Sequence, residues 1–383
     1  MRFPLAVQEL VEQCATASRV LGSNPYMTLH GGGNTSVKTD DVLFIKASGF
    51  NLATLEAKGL APLNRFHLDV MLEREHMSDS ELVAGYRKAR LEPGAAPSIE
   101  ALLHNFLPHR FVLHSHADAI VTLTNISGVQ DDLVDVALGS DILRLPYSMP
   151  GFELAKTIRT ALAGGQIPRA IVQDHHGLFT FAETATEALE VHEELVQQAE
   201  RYISAKTGVL FQDDLDETQR NDSAELGSLR AALQSLHDGE VYFDIRSSPQ
   251  IDEFLARPDL SEITARGGAT LEHVIRTKRW PMVGVDADSF VDRYREYFER
   301  QSARYEEKLV MLDPLPRVAL VRGVGLVGIG RSSDEASIAA DIYRHTARII
   351  SAAELLGRYE SVSESQSFDI EYWELEQAKI RKA

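Results

Sequence analysis

The sequence predicts an α/β protein of two similar units, residues 1–212 and 226–383, each a β-sheet with helices packed on it. Three observations predict it. Short apolar runs alternate with longer segments whose apolar residues recur at helical spacing. The stretch PRAIVQDHHGLFTFAETATEALEVHEELVQQAER, from Pro168, lies without a gap over PRVALVRGVGLVGIGRSSDEASIAADIYRHTARI, from Pro316. Gly177-Leu178 then falls on Gly325-Leu326, Ala188 on Ala336 and Ala199 on Ala347, and both stretches read as strand, glycine turn, polar cap and long helix. Between the two runs QDDLDETQRNDSAE, Gln212 to Glu225, an acidic segment with no apolar period that reads as a linker over 213–225.

The elements follow in order. Leu5, Val7, Leu10, Val11 and Ala15 share helical spacing, so Leu5–Leu21 is a helix ending near Gly22. Val37–Ala47 is a hairpin turning at Thr39-Asp40-Asp41. Ser98–Leu107 is a helix that Ser98 can cap. Arg110–Ser115 and Ala170–Phe181 are buried strands. Thr184–Tyr202 is a helix, with Ala188, Leu189, Leu195, Val196, Ala199 and Ile203 apolar.

Composition bounds the function. The chain has 383 residues, and at about 150 per domain that allows two to three domains. A net charge of −18 argues against nucleic acid and anionic membrane surfaces as partners. It leaves open a small anion bound at a local positive spot. Cys14 is the one cysteine, so no intramolecular disulfide forms. There is no signal-peptide pattern at the N-terminus and no apolar run long enough to span a membrane, so a cytoplasmic location is expected.

Two clusters carry chemistry. The first is His30-Gly31-Gly32-Gly33-Asn34-Thr35-Ser36-Val37-Lys38, followed by Phe44–Gly49, FIKASG. Three glycines in a row allow a close backbone approach or a turn that other residues resist. The run precedes a hairpin, not a helix, and no Gly-Lys-Ser/Thr occurs, which excludes a P-loop. HGGG also serves as an esterase oxyanion loop, but that needs a G-x-S-x-G elbow, which is absent. What remains is an anion-binding nest, with Asn34, Lys46, Ser48 and Gly49 as further donors.

The second cluster is His114-Ser115-His116, at the end of the run Phe111-Val112-Leu113. Residues i and i+2 of a strand share a face, so two imidazoles point one way. His176 ends a second apolar run. Three histidines with an open position is the catalytic zinc pattern, while each taken singly is equally a partly buried polar residue. Glu100 lies just before the first strand, where it can be a ligand, a base or a helix-dipole partner. Position alone favours the dipole role.

GGGN, then SG, PSIE, HSHA and HHGLF, in this order and at these intervals, resemble the class II aldolase/adducin family. IEALLHNFLPHRFVLHSHAD, HVIRTK, ADIYRHT and EYWELEQAK are similar to the aldolase half of bifunctional proteins that join a rhamnulose-1-phosphate aldolase to a short-chain dehydrogenase. The resemblance covers nearly the whole chain, which stops where the dehydrogenase would begin. No dinucleotide fingerprint follows a strand, so no NAD site is expected.

The resemblance implies a three-layer α-β-α fold, and the internal alignment adds a degenerate second copy that lacks metal ligands, Val324 standing where His176 stands. It implies Zn²⁺, or a similar divalent ion, on His114, His116 and His176, and Glu100 as acid/base. Gly33, Asn34, Ser48, Gly49 and Ser98 would hold a substrate phosphate, with Lys46 as the point charge. The implied reaction is cleavage of a ketose 1-phosphate to dihydroxyacetone phosphate and a small aldehyde. The alternatives are another metal-dependent sugar-phosphate or sugar-acid lyase or epimerase, and a non-catalytic adducin-like binding protein.

The sequence departs from the family pattern twice. Ile99 stands where a second serine is common, and Thr124–Leu138 lacks the tyrosine that serves as proton donor, leaving Tyr147 as the candidate. Simple members form fourfold rings, so a homo-oligomer is expected here, a dimer whose four units imitate the ring.

Overall fold

The computed structural model of the chain describes residues 3–129, 132–212, 223–236, 239–270, 273–375 and 377. They divide into two compact units, Met1–Thr124 with Gln130–Ala205, and Asn125–Val129 with Lys206–Ala383.

The first unit opens with α1 (Leu5–Ser23), whose apolar stripe buries Val11, Cys14, Ala15 and Leu21. Strands β1 (Asn34–Lys38) and β2 (Val42–Lys46) form the expected hairpin. Its turn closes where the Thr39 amide donates to Val42 O at 2.9 Å. After β3 (Leu60–Asn64) come α2 (Arg65–Leu72), α3 (Asp79–Ala89), α4 (Ala101–Phe106) and β4 (Phe111–Ser115). Then follow β5 (Ile142–Leu145), α5 (Phe152–Ala161), β6 (Ala170–Gln173), β7 (Gly177–Ala182) and α6 (Ala185–Thr207). The strands make one sheet in the order β3-β2-β1-β4-β7-β6-β5.

Strand parity sorts the helices into two layers. Val112 of β4 and Phe179 and Phe181 of β7 pack with residues of α2, α3, α4 and α5 in one core. The opposite faces meet α1 and α6: Thr35 Oγ1 lies 2.6 Å from Ser18 Oγ, and Ser115 Oγ lies 2.6 Å from His192 Nε2. This is the three-layer arrangement.

Two sequence readings change here. Ala170–Phe181 is not one strand but the antiparallel pair β6–β7, turning at Asp174–His176. The turn is hidden in the sequence because His175, not a glycine, takes the left-handed conformation (φ 58°). The helix expected from Ser98 begins at Ala101: residues 98–101 close as a turn, the Ala101 amide donating to Ser98 O at 3.2 Å.

The second unit holds β8 (Tyr242–Arg246), β9 (Met282–Val283), β10 (Val318–Val321) and β11 (Gly325–Gly330), in the order β9-β10-β11-β8. Helix α7 (Ala224–Leu236) comes first. Ala224 and Glu225, read as linker, are therefore already helical, and 213–222 lie outside the described residues. Helices α8 (Ala287–Ser302) and α10 (Glu364–Glu371) share a core with α7 and with Ala319, Val327 and Ile329. Helix α9 (Ser333–Leu356) packs with β11 and β8. Residues Ile126-Ser127 pair with Arg358-Tyr359, which is why Asn125–Val129 belong to this unit.

The internal duplication is visible as register. In the first unit Ala170 faces Thr180 and Gln173 faces Gly177; in the second Val318 faces Gly328 and Val321 faces Gly325. These are the pairs the gapless alignment demands. The outer neighbours also correspond: β4 places Ser115 opposite Leu178, and β8 places Arg246 opposite Leu326. The two units are similar only in part: the second sheet matches β5-β6-β7-β4 alone, and the described residues hold no counterpart of β1–β3.

Candidate metal centre

Three side chains meet where β4 ends and the β6–β7 turn closes. His114 faces the α4 layer, since Val112, two residues earlier, packs there. Its ring stacks on Phe179 of β7, centroids 3.8 Å apart and 6° from parallel. His116 follows the strand, and its Nε2 is 2.9 Å from His114 Nε2. His176 Nε2 lies 3.3 Å from the same His114 atom. All three residues are buried, and one ligand atom from each falls within 4.8 Å of the others.

The outer nitrogens fix the tautomers. His114 Nδ1 is 3.0 Å from Leu178 O, a carbonyl that only accepts, so Nδ1 carries the proton. His176 Nδ1 is 2.5 Å from Gln173 Oε1. The Gln173 amide cannot be turned round, because its Nε2 donates to Ser148 O at 3.0 Å. In neutral imidazoles both Nε2 atoms then present lone pairs to each other. Lone pairs at 3.3 Å repel unless a cation lies between them, and fixing Nδ1 by hydrogen bonding is how metal-binding histidines are oriented. The donor set fits a divalent ion of the zinc kind.

Glu100 stands over this group. It occupies the N-cap position of α4 but does not cap the helix. Its carboxylate instead accepts from Asn34 Nδ2 at 2.5 Å and lies 3.7 Å from both His114 Nε2 and His176 Nε2. The dipole role is thus set aside: the side chain turns toward the histidines. Asn34 is placed by pairing with His114 across β1 and β4.

The predicted anion donors form a neighbouring group. Lys46, buried at the end of β2, donates to Gly31 O at 3.1 Å. The Ser98 amide donates to Lys46 O at 3.0 Å, joining the loop before α4 to the end of β2. Ser48 and Gly49 are exposed. The glycine run answers mainly to packing. The Gly32 amide is spent on Leu29 O at 2.8 Å, and that of Ser48 on Ala96 O at 2.7 Å. Gly33 takes φ +67°, and a Cβ there would meet His114 O at 2.6 Å. The glycine therefore lets β1 close on the strand that carries His114.

A family profile described as Class II Aldolase and Adducin N-terminal domain matches residues 12–203, and a second, Aldolase class II, second domain, matches residues 220–380. The chain belongs to the class II aldolase/adducin family.

Among relatives, the uncharacterized oxidoreductase YuxG of Bacillus subtilis (strain 168) is 27% identical over 418 residues, a match that takes in 100% of this chain. The chain spans 59% of the length of that curated relative. The N-terminal class II aldolase domain of a conserved protein from Thermoplasma acidophilum is 36% identical, over 53% of this chain and 96% of its own, with a TM-score of 0.47. The L-fuculose-1-phosphate aldolase from Thermus thermophilus is 20% identical, over 51% of this chain and 95% of its own, with a TM-score of 0.35.

In this class II aldolase-family chain, sequence reasoning missed the residues that hold the triad. Gln173 orients His176 and ties it to Ser148, beside Tyr147. His192, buried on α6, bridges Ser115 and Thr180 at 2.6 and 2.8 Å, behind the H-x-H strand. A Gln at the edge of a turn carries no local signal. Tyr147 itself is half-buried, its hydroxyl 3.8 Å from Met149 Sδ. In the second unit, register puts Ile245 at the place of His114, Ser247 at that of His116 and Val324 at that of His176.

Proposed function

We propose that the chain is a divalent-metal-dependent aldehyde-lyase that cleaves a ketose 1-phosphate, of the rhamnulose or fuculose type, to dihydroxyacetone phosphate and a small aldehyde. The observation that carries this reading is the 3.3 Å approach of Nε2 of His114 to Nε2 of His176, whose Nδ1 atoms both meet acceptors, with His116 beside them and a carboxylate 3.7 Å away. In this reading His114, His116 and His176 hold zinc. Bound there, zinc supplies a Lewis acid for the negative charge that develops on substrate oxygens when a carbon–carbon bond breaks.

The rest falls to the chain's own groups. Glu100 moves the proton at carbon, taking it in condensation and returning it in cleavage. Asn34 grips Oε2, which leaves Oε1, buried and without a hydrogen-bond partner, to face the reacting carbon. Lys46, with Gly33, Asn34, Ser48, Gly49 and Ser98, receives the anionic end of the substrate. Ser98 Oγ accepts from the Glu100 amide and keeps its own proton to donate. Residues 1–212 form the catalytic domain in this reading, and 226–383 a degenerate copy, supported by Ile245, Ser247 and Val324 at the three ligand positions. The protein assembles as a homo-oligomer and takes no nucleic-acid partner.

The second reading is a lyase or epimerase for another sugar phosphate or a sugar acid, and one observation favours its sugar-acid form. With the Gly32 and Ser48 amides spent within the chain, fewer donors are left for a phosphate.

The deciding assay mixes dihydroxyacetone phosphate with several small aldehydes, with and without chelator, on protein whose metal content has been measured. The expected result is about one zinc per chain and chelator-sensitive condensation. Epimerisation or cleavage of other sugars without condensation moves the assignment to the second reading. Protein with no bound metal and no gain on adding zinc overturns both.

A further inference from the structure

Strand β1 reads Asn34-Thr35-Ser36-Val37-Lys38, and its alternate residues meet one short helix at three levels. Asn34 Nδ2 donates to Glu100 Oε2 at the N-terminus of α4. Ser36 Oγ lies 2.8 Å from His104 Nδ1, in the middle of the helix. Lys38 Nζ donates to three carbonyls at the far end: His104 O at 2.7 Å, Asn105 O at 3.3 Å and Leu107 O. Thr35 faces the other way, toward Ser18 of α1.

The lysine needs a reason beyond helix termination. Lys38 is buried, and taking an ammonium out of water is costly. The last carbonyls of a helix are ordinarily satisfied by water, a glycine cap or a tightened last turn. A buried ammonium with three N–H groups for three carbonyls instead fixes the helix end against one point of the sheet. Asn105, in the last turn, is held from a second direction: Arg65 Nε donates to its Oδ1 at 2.9 Å, and its Nδ2 donates to Asp69 Oδ1 at 2.7 Å. The same sheet carries His114 on β4, paired directly with β1.

We propose that the Asn34–Ser36–Lys38 face of β1 is a rack that sets the position and rotation of α4, and that Lys38 is a positioning residue for Glu100. The proposal rests on the reading of Glu100 as the proton-transferring group. Six residues of helix rise about 9 Å, so Lys38 acts on Glu100 along the helix, without touching it. The second unit agrees by omission. Its helix before the corresponding strand is the thirteen-residue α7, the described residues there include no counterpart of β1, and Ile245 stands in place of His114.

The test is a double-mutant cycle of Lys38→Met and Glu100→Gln on the zinc-loaded full chain, joined to amide exchange of residues 101–107. Lys38→Met is expected to keep zinc and KM while lowering kcat by about 10²-fold, a loss that an ångström-scale misplacement can cause. It should speed exchange in α4, and it should have no further effect on kcat once Glu100 is Gln. Equal kcat losses in both backgrounds, loss of zinc, or unchanged kcat with unchanged exchange overturns the proposal. If Lys38→Met does not fold, Ser36→Ala runs through the same cycle with the same expectations. If Glu100→Gln alone leaves turnover near normal, the reading of Glu100 fails, while the exchange of α4 still decides whether the rack exists.

Discussion

Substituting Gly177 by alanine separates the proposed metal centre from the fold that carries it. A Cβ at Gly177 would stand 2.1 Å from Ser115 O, the carbonyl between His114 and His116. Ordinary contact begins at 3.4 Å, so β7 must retreat from β4 by the difference, about 1.3 Å. Paired strands lie about 4.8 Å apart, so that retreat breaks the Ser115–Leu178 pairing and carries His176 away from His114 and His116. A metal site tolerates errors of about 0.2 Å in its ligand distances, several times less than the displacement. Gly325 is the control. At the equivalent place in the second unit a Cβ would stand 2.3 Å from Arg246 O, and φ there is +143°, so the strain is at least as great. Overpacking of this kind costs about 1–3 kcal/mol, and at about 2–4 °C per kcal/mol for a unit of this size each variant should lose roughly 2–12 °C in Tm. Zinc affinity, read by competition with a chromophoric chelator, should fall at least 10-fold for Gly177→Ala, as when groups orienting ligands are lost, and stay unchanged for Gly325→Ala. A Gly177→Ala protein that holds zinc as tightly as the parent, or a Gly325→Ala protein that loses it, would refute the reasoning.

Two further outcomes are expected. Lys46→Met should raise KM for a phosphorylated substrate more than for its unphosphorylated analogue, and equal effects on both would leave Lys46 only its bond to Gly31 O. Acid should unfold the first unit early. Burial holds His192 down to about 3, and burial with the nearby Lys38 charge holds His104 down to about 3. Both stay neutral in the folded chain while the unfolded chain takes up protons below about 6.5. Stability is therefore lost as pH falls from 6.5 toward 3, by about 1.4 kcal/mol per pH unit for each group. Melts from pH 7 to 4 check this, and His192→Gln, which removes one titrating group, should flatten the slope; an unchanged slope would refute it.

The sequence by itself determined what short-range pattern can encode. Strand parity put His114 and His116 on one side. The Thr39–Asp41 turn closed the first hairpin, and the gapless alignment of Pro168 with Pro316 anticipated that the two stretches share one arrangement, though not that it is a hairpin. Each of these depends on backbone geometry over a few residues. The tertiary structure alone decided the rest. Position gave Glu100 a helix-dipole role, and the sheet turned it to Asn34, 66 residues away in the chain, and to the histidines. Lys38 read as the end of a hairpin strand, and its ammonium closes α4 instead. The tautomers that make His114 and His176 face each other come from Leu178 O and from Gln173, pinned by Ser148. That the described residues of the second unit hold no counterpart of β1–β3 also escaped the sequence, because the alignment covers only the hairpin and helix that both units kept. The physical reason is common to the first three. A strand or helix is chosen by neighbours along the chain, whereas a buried polar group must find its partner wherever the packed sheet brings one.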